Sequence, residues 1–273
     1  MTVQDFYAQI EKTRMPRGTA ALWWLGQMSV WLKMGETLVS VDYYAAPDAD
    51  RQVPPPVPME EVRGVSLFLG THDHIDHIDH PAWKVWLQTC PEARFVVPAA
   101  CMPALLAEGF PAERLIGMND GGTCRVGEIT VHAVAAAHEF LNRDSATGLY
   151  PCLQYVLEGN GVRFHHAGDT VRYEGMLPRL QALGPLDGAI LPINGRDGWR
   201  YSHDFIGNMT FQEAVDLAGE LQPRLVLPGH WDMFAANSAD PAQFADYLHA
   251  KYGDAVACVI PEYQQIIWLG EKK

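Results

Sequence analysis

The sequence predicts an α/β protein of two similar halves, packed sheet to sheet with helices outside. Two observations point there. Strand-length apolar segments alternate with helical ones over 273 residues that are 48% hydrophobic, enough for a large core. A β meander followed by mixed β/α elements occurs twice, once before about residue 150 and once after, with no repeat of fixed period and no clear linker. One domain over 1–273 is therefore expected.

Along the chain, Val3, Phe6, Tyr7 and Ile10 recur at near-helical spacing, giving a short amphipathic helix over 3–12. After Pro16 and Gly18 the pattern turns to strands at 20–25, 29–34 and 37–41, with Gly35-Glu36 as a turn. Asp42 ends the third, and five prolines between Pro47 and Pro58 exclude regular structure there. Val65 to Leu69 reads as a buried strand, 81–89 as a helix, 95–97 as a strand, 99–108 as a helix and 115–116 as a short strand. A β pair follows over 123–135, then strands at 152–157 and 162–167 joined by Gly159-Asn160-Gly161. Helices at 174–183, 210–221 and 241–252 then alternate with strands at 188–191, 225–227, 256–260 and 265–269, and 197–208 is expected to be a loop.

Composition narrows the function. A net charge of −13 with no basic stretch argues against a nucleic-acid surface, which needs cationic groups to neutralise phosphates. No apolar run reaches membrane-spanning length, and Met1 to Phe6 has no basic segment leading into an apolar one. The five scattered cysteines (Cys90, Cys101, Cys124, Cys152 and Cys258) suit reduced thiols, so a cytoplasmic location is expected, away from membranes.

The chain is organised around Thr71-His72-Asp73-His74-Ile75-Asp76-His77, where a buried strand leaves the core. His72 and His74, two apart, would share one side of an extended backbone and reach one ion; Asp76 and His77, at a helix start or tight turn, would reach a second. Three further strands end in His138, Asp169 and His230. Ligand chemistry divides the set: His72, His74 and His138 on one ion, Asp76, His77 and His230 on the other, and Asp169 bridging with its two oxygens. A hydroxide between two such ions persists at neutral pH and is the expected nucleophile, with Asp76 and Asp169 as the catalytic carboxylates. Asp42 is expected to accept the free N–H of a ligating imidazole.

Four candidates for holding substrate lie after the strand at 188–191. Asn194 and Arg196 end it, and Arg196, or Arg200, offers a planar fork for a phosphate or carboxylate. Tyr201 and His203 could donate a hydrogen bond or proton to a leaving group. Arg143 and Tyr150 are weaker candidates. His165-His166 lies inside a strand and reads as structural, His80, Asp73 and Asp79 as helix-start and surface residues, and Trp23, Trp24, Trp31, Trp83 and Trp86 as core.

In order, His72-x-His74-x-Asp76-His77, Ala137-His138, Gly168-Asp169-Thr170 and Pro228-Gly229-His230 resemble the motifs of the metallo-β-lactamase fold superfamily, and Asp42 after its hairpin resembles the first of them. Trp24 to Val30, Asn208-Met209-Thr210 and His230 to Phe234 are similar to the branch that contains L-ascorbate-6-phosphate lactonase. The resemblance implies a four-layer αββα sandwich of two mixed β-sheets, a metal-dependent hydrolase and two divalent ions, Zn or Mn. The expected reaction opens a small ester or lactone, a phosphorylated sugar lactone among them, so an anionic small-molecule substrate is expected; a homo-oligomer is allowed. The alternative is a phosphodiesterase of the same fold. A redox di-iron role would favour a carboxylate in place of His74, and a non-catalytic metal protein would not need a complete ligand set.

Overall fold

A computed structural model describes residues 1–270. Two seven-stranded sheets pack face to face. The first has the order β14-β1-β2-β3-β4-β5-β6: β1 (Thr19–Trp24), β2 (Val30–Met34), β3 (Thr37–Val41), β4 (Leu67–Leu69), β5 (Arg94–Pro98), β6 (Leu115–Met118) and β14 (Ile266–Gly270). The second has the order β13-β12-β11-β10-β9-β8-β7: β7 (Thr123–Val126), β8 (Ile129–Ala135), β9 (Leu153–Gly159), β10 (Val162–His166), β11 (Gly188–Pro192), β12 (Leu225–Gly229) and β13 (Ala257–Cys258). In each sheet a run of antiparallel pairings hands over to parallel ones, at β3–β4 in the first and at β10–β11 in the second. The last strand, β14, returns to the first sheet and pairs with β1. Each half thus ends up with the same arrangement, as the twofold recurrence in the sequence implied.

Three buried apolar layers account for the stacking. Between the sheets lie Leu22, Trp24, Leu32, Val39, Leu67, Tyr155, Phe164 and Leu269. Alternate residues of the same strands, such as Trp23 and Trp31, face outward against α1 (Val3–Lys12) and α2 (His80–Thr89). On the far side, α4 (Met176–Ala182), α6 (Phe211–Leu221) and α7 (Pro241–Tyr252) cover the second sheet through residues such as Leu180, Leu217 and Phe244. Because both faces of each sheet are covered, the central strands are apolar throughout rather than alternating. The result is an αββα sandwich, as expected.

Local signals explain the element ends. Thr2 and Thr210 close capping boxes with Asp5 and Glu213, and Asp240 caps α7, which opens with Pro241. Asn160 and Gly161 both take positive φ (50° and 82°), the conformation that a two-residue hairpin between β9 and β10 requires.

Four readings need correction. Residues 99–108 start as a 3₁₀ turn (Ala99–Cys101) before α3 (Met102–Ala107). The segment 197–208 is not all loop: Asp197 accepts from the Arg200 amide and caps a short helix, α5 (Gly198–Ser202). His72 to His74 are not extended but bend, and the tight turn expected at Asp76 and His77 follows, with the His77 and Ile78 amides donating to the His74 carbonyl. Asp79 is no surface residue. It is fully buried, caps α2 through Ala82 N (3.1 Å) and accepts both Ala45 N and Ala46 N (2.8 Å each), tying that helix to the loop after β3. His165 and His166 are structural as read: both are buried, with Nε2 of His165 on Gln154 Oε1 (2.8 Å) and Nε2 of His166 on the Met28 carbonyl (2.7 Å).

Two outcomes follow. Asp79→Ala removes a cap and two further bonds to a charged acceptor, so urea denaturation should show a loss of about 2–4 kcal/mol, with Asp79→Asn losing less. Burial, with His166 beside it, pushes the His165 ring from 6.5 down to about 3. Its folded pKa lies below its unfolded one, so the unfolded chain binds the extra proton and stability falls as pH drops below about 6.5. His165→Asn should flatten that acid slope by up to about 1.4 kcal/mol per pH unit in denaturation series run at successive pH values.

Candidate metal centre

The strands of both sheets bring their C-terminal ends to one edge. β3 delivers Asp42, β4 the 71–79 turn, β8 leads to His138, β10 to Asp169 and β12 to His230. Parallel pairing of β3 with β4 places Asp42 beside Thr71, with the Asp42 amide on the Leu69 carbonyl at 2.9 Å. Asp42 and His230 both hold positive φ (49° and 60°), which aims their side chains away from the strand line at the cost of backbone strain. Gly168 also has positive φ (56°), and a Cβ there would sit 2.8 Å from the Thr71 Cβ, so the loop carrying Asp169 packs on Thr71 only through glycine.

Asp42 is fully buried and organises the turn. Its Oδ1 accepts Thr71 N (2.9 Å), and its Oδ2 accepts Thr71 Oγ1 (2.7 Å) and His77 Nδ1 (2.6 Å). The one hydroxyl proton of Thr71 goes to Asp42, so Thr71 Oγ1 accepts from His72 Nδ1 at 3.1 Å. Both imidazoles therefore donate from Nδ1, which leaves Nε2 as the nitrogen that faces inward. On the other side, His138 Nδ1 donates to the Gly207 carbonyl (3.3 Å), which leaves its Nε2 facing inward as well.

These nitrogens form two groups. His72 Nε2 lies 2.9 Å and His138 Nε2 3.3 Å from His74 Nδ1. In the second group, Asp76 Oδ2 lies 3.5 Å from His77 Nε2 and 3.8 Å from His230 Nε2. Asp169 stands between them: its Oδ1 is 3.4 Å from His77 Nε2, and its Oδ2 is 3.2 Å from His230 Nε2 and 3.6 Å from His138 Nε2. The ligand-type atoms of His72, His74 and His138, and those of Asp76, His77 and His230, each lie within 4.8 Å of one another. His77 Nε2 and Asp169 Oδ1 are buried without a hydrogen-bond partner.

Charge at the site follows from burial and from the carboxylates. Burial, with His77 next in weight, pulls His72 well below the ordinary imidazole range, and burial takes His138 down to about 4. Burial works the same way on His77, but Asp169, Asp76 and Asp42 outweigh it and hold that ring well above its usual value. Desolvation opposes ionisation of Asp169, and His230 and His77 overcome it, keeping the carboxyl well below its usual value. Asp76 is likewise lowered against desolvation, chiefly by His77 and His230.

The seven residues picked out as metal-type come together here; the four expected to hold substrate do not. Arg196 spends its fork on Glu213 (2.6 and 2.8 Å) and the Asn208 carbonyl (3.0 Å), so it faces α6. Arg200 is used up on the carbonyls of Asn194, Ala236 and Ser238. Asn194 is buried and donates to Asn237 (2.8 Å), so it props a wall residue without reaching the site. Tyr201 is 68% exposed, and His203 folds back onto its own helix, stacking on Trp199 at 4.2 Å with Nδ1 on the Trp199 carbonyl. All four were placed by nearness to a strand end, but α5 and the α6 cap redirect the chain after Gly195.

A cavity of about 530 Å³ opens over the centre, reaching His74, Asp76, His138, Asp169 and His230. Its outer wall includes Asp48, Asp50, Asp204, Phe205, Ile206 and Phe234, and no lysine or arginine lines it among the described residues. The expectation of an anionic substrate finds no basic side chain here. Sequence reading also missed Thr71, Gln27 and Thr170. Gln27 (φ 53°) follows Gly26 (φ 99°) in the β1–β2 turn and brings Nε2 to 3.3 Å from Asp76 Oδ2, with its amide on Asp232 Oδ1 (2.8 Å). Thr170 braces the loop carrying Asp169 against that carrying His138 by accepting the Ala137 amide (3.0 Å). A glycine closing an apolar strand, as in Gly26-Gln27, was the one available signal.

Residues 39–231 match the profile of the β-lactamase superfamily domain. The chain is 26% identical over 274 aligned positions to a protein of Salmonella paratyphi B named probable L-ascorbate-6-phosphate lactonase UlaG, covering 86% of this chain and 76% of that one. Among solved structures it is similar to Igni18, a metallo hydrolase of Ignicoccus hospitalis (TM-score 0.72, 21% identity, 93% of this chain and 100% of that one). Similar too is an isothiocyanate hydrolase from Delia radicum gut bacteria (TM-score 0.68, 16% identity, 90% and 98%). With its profile match, its two-sheet sandwich and its histidine and aspartate groups at one sheet edge, the chain belongs to the metallo-β-lactamase superfamily, as an enzyme of its hydrolase kind.

Proposed function

We propose that this enzyme opens a small ester or lactone at a centre of two divalent transition-metal ions, Zn or Mn. One observation carries the reading: ring nitrogens of five imidazoles and oxygens of two carboxylates converge at one place, with His77 Nε2 and Asp169 Oδ1 buried without a hydrogen-bond partner 3.4 Å apart. Against desolvation, two buried carboxylates among these rings favour positive charge at the site, drawing protons onto His77 and His230, or a bound cation in their place. The set is all nitrogen and oxygen with no thiolate, which suits Zn or Mn. His72, His74 and His138 would hold one ion, Asp76, His77 and His230 the other, and Asp169 would serve both.

Such ions, when bound, supply a Lewis acid for a carbonyl or leaving oxygen and lower the pKa of a coordinated water. The chain's own residues do the rest. Asp42 and Thr71 hold the tautomers that present Nε2 of His72 and His77, and the Gly207 carbonyl does so for His138. Asp76 and Asp169 stay ionised and offset the cationic charge. Gln27 Nε2 steadies Asp76 Oδ2. The relatives named as probable lactonases support ring-opening of a lactone, and the phosphate in their printed substrate finds no basic partner in this cavity. The reading therefore rests on the ester or lactone carbonyl.

Metal analysis of the purified protein should find about two transition-metal ions per chain, and chelation should abolish hydrolysis of a lactone and ester panel. Asp169→Ala and His72→Ala should lose metal and turnover together; normal metal content in either would remove the assignment. Bis-p-nitrophenyl phosphate run beside the panel separates a phosphodiesterase from a lactonase. Asp42→Asn, which tolerates the positive φ, should bind metal about 10–100-fold more weakly in chelator competition, because Nδ1 of His77 loses its charged acceptor.

A further inference from the structure

We propose that the part of the substrate reaching past the metal centre carries no negative charge, so the enzyme selects neutral or cationic esters and lactones over phosphorylated or carboxylated ones. This rests on the hydrolase reading above and specifies its substrate class. The reaction itself adds water across the acyl C–O bond, the hydroxyl going to the acyl carbon and a proton to the leaving oxygen. The charge of the remaining substituent is untouched, so the cavity wall, set against the field of the ions at its base, discriminates it.

That wall has two characters. Asp48 and Asp50 come from the loop after β3 and Asp204 from the turn after α5, while Phe205, Ile206 and Phe234 add apolar surface. None of the arginines on the neighbouring loops lines the cavity, although Nη2 of Arg51 is buried without a hydrogen-bond partner. Arg51 donates to the carbonyls of Val53 and Tyr44 and lies over the Tyr44 ring, Arg196 is held by Glu213, and Arg200 by three main-chain carbonyls. On the loop after His138, Arg143 donates to the Gly148 carbonyl. Beyond the reach of the ions, an anionic substituent would face these carboxylates with no lysine or arginine in the cavity lining to offset them. At a separation of about 8 Å, each carboxylate changes the preference between an anion and a neutral group by roughly twofold in a water-like medium and by roughly thirtyfold in a surface-protein one. Asp48 takes a hydrogen bond from Tyr44 (2.8 Å), which holds one of these charges in place.

The test uses Zn-loaded full-length protein and γ-butyrolactones that differ only in the substituent: trimethylammonium, ethyl, carboxylate or phosphate. The ethyl and trimethylammonium members should exceed the anionic ones in kcat/KM by about tenfold or more, and added salt should narrow the gap. Asp50→Asn/Asp204→Asn, both at exposed positions, should shrink the ratio of neutral to anionic kcat/KM. Cyclic ether counterparts, which have no acyl bond to open, are titrated calorimetrically in parallel. If the anionic lactones are preferred, or the double variant leaves the ratio where it was, the charge proposal falls while the hydrolase reading stands. If no lactone is opened but the ethers bind in the order cation, neutral, anion, the charge proposal holds and the hydrolase reading falls. No binding and no turnover by any member ends both.

Discussion

A single buried carboxylate holds this centre in register. Asp42, at the end of β3, accepts the Thr71 amide, the Thr71 hydroxyl and Nδ1 of His77, and so ties two parallel strands to the turn that carries the histidine cluster. Each bond also sets a proton. With Thr71 donating to Asp42, His72 must donate to Thr71, and in both rings Nε2 is then the nitrogen turned inward. Remove the carboxylate and neither tautomer nor ring orientation is specified, although every ligand-type residue would still be present.

The sandwich makes such a centre possible. Two sheets buried on both faces give rigid strands whose C-terminal ends meet along one edge, and the connecting loops there carry the chemistry. The strain is concentrated at that edge: Gln27, Asp42 and His230, none of them glycine, hold left-handed conformations. Surrounding bonds make those conformations stick. The Gln27 amide is held by Asp232, which also accepts the Tyr263 hydroxyl, and Tyr263 packs on Trp24 at 4.7 Å. The Gln27 carbonyl in turn accepts the His230 amide at 3.0 Å, so the β1–β2 turn supports the far side of the centre.

Charge around the centre is divided in a way that bears on function. Inside, Asp76 and Asp169 are ionised among imidazoles. Outside, the cavity wall is acidic and apolar, and the guanidinium groups of the neighbouring loops serve as structural staples. Arg200 in particular joins α5 to the 236–238 turn through main-chain carbonyls. A protein that used these arginines for an anion would have to give up those connections.

Periodicity and turn chemistry in the sequence were enough to determine the order of the strands and of the helices other than α5, the doubled halves and the burial of Trp23, Trp24, Trp31, Trp83 and Trp86, since those depend on local patterns of apolar spacing and on Gly, Pro and Asn at turns. The cluster at 72–77 and the strand-ending His138, Asp169 and His230 were also legible, because a residue that interrupts an apolar strand at its end is visible without knowing what it meets. Asp42 could be expected to support a histidine, but which one, and through Thr71, was decided by the parallel pairing of β3 with β4. The substrate-facing residues were not legible. Arg196, Arg200, Asn194, Tyr201 and His203 have the right chemistry near the right strand, yet Glu213, the main-chain carbonyls and the short helix α5 turn them elsewhere. Nothing local in the sequence says that Asp48, Asp50 and Asp204, from loops more than 150 residues apart, share one wall. Contacts between distant segments, with the direction each side chain takes after the backbone bends, belong to the tertiary fold alone.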